Sequence, residues 1–175
     1  MDNRYPPGEA STLELINPEA LTAVATESSH PDADPEKENR SEDLTAIGSA
    51  LIGAVEHAMA DAGADFAALF RAVRVELADD YAFLDPFALD PSTGRFGYSG
   101  ALVPVSQELP TNTYVAGISE ALRRVVDRVA TGDRARRVRE RVGLELALVA
   151  RKQAPALAQS GFRTQLDRIA GTKVI

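Results

Sequence analysis

The sequence predicts a mainly α domain over 41–175, a bundle of four to five helices with a small inserted β-hairpin at about 83–103, preceded by a disordered acidic tail over 1–40. Three patterns carry that expectation. After Ser41, apolar residues recur at intervals of three and four through most of the chain, the spacing that gathers them on one side of a helix. Five prolines fall within the first 40 residues, among Glu, Asp and Ser, with Tyr5 as the only aromatic. Between two of the helical segments lies one aromatic stretch that holds two Asp-Pro steps and three glycines.

The tail comes first. So polar a stretch cannot bury enough apolar area to offset an ordering cost of roughly 1–2 kcal/mol per residue. One apolar island interrupts it at 13–24, where Leu13, Leu15, Ile16 and Leu21 would dock on a partner or on the chain's own domain, with a short helix from Pro18 onward.

Helical spacing then begins at Ser41 with Leu44, Ile47, Leu51 and Val55, and Gly63 is placed to stop it. Asp65 stands where a second helix needs its N-cap, ahead of the stripe Phe66, Leu69, Phe70, Val73 and Leu77. The short connection predicts that this helix packs antiparallel to the first. The stretch from Phe83 to Tyr98 follows, with the turn Asp90-Pro91-Ser92-Thr93-Gly94 between two apolar segments, and it reads as a hairpin that helices must support. Past Pro110, Thr111 or Thr113 would cap a third helix carrying Tyr114, Ile118, Leu122, Val125 and Val129 to Gly132. Asp133 would cap a fourth, with Val138, Val142, Leu146 and Val149 on one face. Its second half, 144–150, is apolar nearly all round, which predicts burial on more than one side. Pro155 ends or kinks it, and Phe162, Leu166 and Ile169 form a last amphipathic turn running to Gly171.

Composition removes several chemistries. The 175 residues contain no cysteine and only two histidines, so disulfides, thiolate catalysis, iron–sulfur sites and multi-histidine metal centres are excluded. No cofactor or metal is expected. No window of about 18 apolar residues occurs and the first ten residues are polar, which predicts a cytoplasmic protein with no membrane partner.

Charge is divided unevenly. Residues 1–90 hold 19 acidic and 5 basic side chains, net -14, whereas 91–175 hold 7 and 14, net +7. Arg123, Arg124, Arg128, Arg134, Arg137 and Arg141 dominate the basic half and are the candidate electrostatic contact with an acidic protein surface or a second copy of the chain. The alternative is a solvated face paired with Asp127, Asp133, Glu140 and Glu145. Phe87, Phe96 and Tyr98 are candidate aromatic anchors, or core.

Other constellations read more simply. Asp79, Asp80, Asp85 and Asp90 match no calcium loop and suit turns and caps. Gly94, Gly97 and Gly100 fit neither phosphate-loop pattern, and His57 lacks the neighbours of a phosphoacceptor. The expected function is that of a non-enzymatic regulatory or adaptor protein that binds another protein or forms a homo-oligomer. Two alternatives stand beside it: a small-molecule sensor or enzyme accessory subunit with a pocket lined by Asp85, Arg95 and Tyr98, and a weak nucleic-acid binder through the arginine-rich helix. A pI near 4.9 argues against the last.

Overall fold

The computed structural model describes residues 35–87, 89–90, 95–96 and 109–174, with side chains described over 42–87 and 109–174. All of these lie within the unit Ala33–Ile175. The chain is mainly helical. Six α-helices are found among the described residues: α1 (Pro35–Asp61), α2 (Phe66–Leu77), α3 (Thr111–Val129), α4 (Ala135–Lys152), and the short α5 (Ala154–Ser160) and α6 (Leu166–Ala170).

The apolar stripes explain which helices exist and what they bury. Leu44, Ile47, Leu51 and Val55 of α1 meet Val73 and Leu77 of α2, Ile118, Leu122 and Val125 of α3, and Val142 and Leu146 of α4 in one continuous core. Asp65 caps α2 as its position suggests, its Oδ1 accepting from the Ala68 amide at 3.0 Å. Gly63 leaves α1 in the left-handed region, φ +68°, which costs a residue without Cβ nothing.

Several expectations need correction. Helix α1 starts at Pro35 rather than Ser41, so the end of the stretch read as tail is helical backbone; proline's fixed φ suits a first helical position. Residues 1–34, including the island at 13–24, lie outside the described residues. The main neighbour of α1 is α4, and α2, which also touches α1, lies chiefly along α3. The reason is length: α1 has 27 residues and α2 only 12, so α1 needs a longer surface to cover its stripe. Neither expected side-chain cap forms on the later helices. Pro110 precedes α3 without a side-chain bond, and a 3-10 turn at Gly132–Arg134 leads into α4 in place of an Asp133 cap.

The expected hairpin over about 83–103 is not supported. Its first residues belong to the helical core, because Ala82–Leu84 form a 3-10 turn in which Leu84 is fully buried. Beyond that, among the described residues only Leu89 opposite Phe96 and Asp90 opposite Arg95 pair, two residues a side, which is too little to make a hairpin element. Residues 88, 91–94 and 97–108 lie outside the described residues, and with them Gly94, Gly97, Gly100 and Tyr98.

The end of the chain completes the bundle. Helix α4 stops at Lys152, and α5 takes up the direction set by Pro155 in its first turn. Gly161, φ +87°, then turns the chain so that Phe162 enters the core edge-on to Tyr114, ring centres 6.1 Å apart. Tyr114 in turn lies against α1 where Gly48 leaves room; a Cβ at 48 would overlap the buried Tyr114 hydroxyl. Burial pushes that phenol up to about 12. Gly48→Ala is expected to cost about 1–3 kcal/mol of stability, seen as a lower urea midpoint at unchanged slope, and Tyr114→Phe in the same chain should return part of it.

Candidate interaction surface

Helix α4 has two faces of opposite character. Val138, Val142 and Leu146, four residues apart, point into the core, and Gly143 lets Thr172 of the C-terminal segment approach closely. On the other side, Arg137, Leu144, Leu148 and Arg151 fall within about 60° of one another at the helical repeat. Leu144 is 61% exposed and Leu148 45% exposed. The apolar second half of this helix is thus buried on one side only, which corrects the expectation of burial on more than one. Arg137, Arg151 and the adjacent Lys152 have no hydrogen bond or ion pair among the described residues. Arg163, which also has no hydrogen bond or ion pair among the described residues, joins Arg151 at a cleft of about 440 Å³ floored by Ala147, Ala150, Leu157 and Val174.

The six arginines singled out by sequence separate into two groups. Arg123, Arg124 and Arg128 on α3 are held by carboxylates of the same chain. Glu120 accepts from Arg123 Nη2 at 2.6 Å, Arg124 Nε at 2.9 Å and Arg168 Nη2 at 2.8 Å. Asp127 binds Arg123 at 2.5 Å and Arg139 at 2.8 Å, and Arg128 reaches Glu76 on α2. Arg141 pairs with Asp61 at 2.7 Å and Glu145 at 3.1 Å, and Arg134 donates to the Ala62 carbonyl. Arg137 alone of the six keeps a free guanidinium among the described residues. The opposed charges of the two halves are therefore partly cancelled by folding, through Glu76 and Asp61 of the acidic half.

Glu120 is the hub of the α3 network. The Arg123 hydrogen bond is the main cause that lowers its carboxyl from 4.5 to about 2; the bond from Arg124 and the charges of Arg123 and Arg168 help, against a partial desolvation that opposes it. A depressed carboxylate stabilises the fold fully above its unfolded value and loses that contribution as pH falls through its folded value. Acid titration should therefore remove about 1–2 kcal/mol between roughly pH 4.5 and 2, after allowance for solvent screening, and Glu120→Gln should flatten that part of the stability profile.

The other candidates are placed as follows. Phe87 stands 51% exposed, outside the core, with its amide bonded at 2.8 Å to Asp85 Oδ1. Asp85 thus serves a turn, as its Pro-flanked position suggests. The side chains of Arg95, Phe96 and Tyr98 lie outside the described residues, as do Leu13, Leu15, Ile16 and Leu21. His57 is exposed on α1, its Nδ1 3.2 Å from Glu145. Among the described residues no group of three or more His, Cys, Asp or Glu is arranged to hold a metal, and no helix is long and apolar enough to cross a membrane.

Sequence reasoning missed Arg74 and the outward leucines. Arg74 is 2% exposed and donates from Nε to the Leu84 carbonyl at 2.9 Å, tying the 3-10 turn to α2. The leucines had a legible signal in the seven-residue interval from Arg137 to Leu144 to Arg151. No family model, characterised protein or solved structure matches the chain.

Proposed function

We propose that this chain is a non-enzymatic regulatory or adaptor protein that binds an acidic protein surface through the outward face of α4. The supporting observation is the pair Leu144 and Leu148, exposed on a helix whose flanking Arg137, Arg151 and Lys152 have no carboxylate partner among the described residues. Exposed leucines with basic flanks suit an amphipathic acidic segment: apolar side chains cover the leucines and carboxylates meet the guanidinium groups. Two copies of this face would set like charges against each other, which favours an acidic partner over self-association.

A synthetic helical peptide with leucines at i, i+3, i+4 and i+7 and glutamates beside them is a direct probe. It is expected to bind, more weakly as salt rises, while a peptide with lysine for glutamate does not bind. Equal binding of both peptides, or of neither, would overturn the proposal. Light scattering on the free protein reads the alternative of self-association, which predicts a dimer where the acidic-partner reading predicts a monomer.

A further inference from the structure

We propose that the cleft between the end of α1 and the start of α4 is a binding site for a phosphate group, adjoining the leucine face and sharing Arg137 with it. The cleft encloses about 400 Å³ and is walled by Ala58, Asp61 and Ala62 on one side and by Arg134, Arg137 and Arg141 on the other. Arg137 and Arg141 sit four apart on one side of α4, and Arg134 stands at the end of the 3-10 turn that leads into it.

Part of this arrangement belongs to the fold. Helix α1 brings no basic residue to its own last turn, and Arg134 and Arg141 supply what is missing by binding the Ala62 carbonyl and Asp61. Positive charge at that end offsets the helix dipole. Donors remain after this role is filled. Arg137, between the other two, has no partner among the described residues, and the Nε of Arg141 is buried with no acceptor.

The chemistry of the acceptor follows from the donors. Three guanidinium groups require more acceptor oxygens than the two of a planar carboxylate, and a tetrahedral oxyanion offers them together with geometry that suits arginine forks. Charge agrees. Asp61 and Glu145 both oppose Arg141, while Arg134 and Arg137 meet no carboxylate among the described residues and leave the cleft cationic. Inorganic phosphate and the phosphomonoester end of a small molecule present the same group, so the site is assigned to that group.

Calorimetric titration of the full chain at constant ionic strength tests this, with inorganic phosphate, phenyl phosphate and acetate as probes. Phosphate is expected to bind and acetate to bind at least about tenfold more weakly, one charge-assisted hydrogen bond being worth that much or more. Arg137→Gln, which breaks no hydrogen bond or ion pair among the described residues, should weaken phosphate binding by about tenfold or more. Asp61→Asn should strengthen it by removing the competing carboxylate. Tighter binding of phenyl phosphate assigns a phosphomonoester, and tighter binding of inorganic phosphate assigns the free ion. Absence of binding by both, acetate equal to phosphate, or an Arg137→Gln protein that binds as before would each overturn the proposal. A chain with serine at both 144 and 148 keeps this site intact, so failure of the peptide probe and failure of the phosphate probe are read separately.

Discussion

Arg74→Ala is expected to lower the unfolding free energy by about 3–5 kcal/mol, read from the urea midpoint at unchanged slope. Two losses add. Arg74 is 2% exposed, so truncation leaves a cavity in the interior beside the turn at Ala82–Leu84. It also takes the Nε donor from the buried Leu84 carbonyl. Arg74→Met separates the two, because its flexible thioether restores much of the volume but no donor. The methionine protein should retain a deficit of about 1–3 kcal/mol, the cost of a buried carbonyl without its partner. A methionine variant as stable as the parent would show that the guanidinium only fills space.

Phe162→Ala is expected to cost about 3–5 kcal/mol. The ring is fully buried, although it lies in a 3-10 turn between two helices of seven and five residues. Neither helix is long enough to persist alone, so their order derives from packing. Phe162 supplies it through Tyr114, which also contacts Phe83 with ring centres 5.4 Å apart. Losing the ring should therefore raise amide exchange at Leu166–Ala170 as well as lower global stability. A loss under about 1 kcal/mol would mean that the C-terminal helices are an appendage.

The main helices were legible because burial imposes a period that residues such as Leu44, Ile47, Leu51 and Val55 carry openly. Gly63 and Gly171 marked helix ends for the same local reason, and both have positive φ. What was hidden depends on partners distant in sequence. Arg123 with Glu120 and Asp127 is a neighbour pairing that spacing can suggest, but Arg128 with Glu76 spans 52 residues. Arg74 looks solvated between Val73 and Val75, yet Val75 is 48% exposed and Arg74 is buried, because the chain returns over it at Leu84. The same limit applies to the candidate surface. Six arginines looked equivalent, and only the carboxylates of α1, α2, α3 and α4 and the Ala62 carbonyl separate Arg137 from the rest. The segment 144–150 looked uniformly apolar because composition does not say which leucines a single core can reach.

Replacing Leu144 and Leu148 together with serine tests the outward face of α4 most directly. Both side chains are largely exposed, so the double variant should keep its helical circular dichroism and unfold within about 1 kcal/mol of the parent. Its affinity for the acidic amphipathic peptide, measured by fluorescence anisotropy at low salt, is expected to fall by about tenfold or more, as two apolar contacts are removed. Unchanged affinity in a folded double variant would contradict the assignment of this face as the interaction surface.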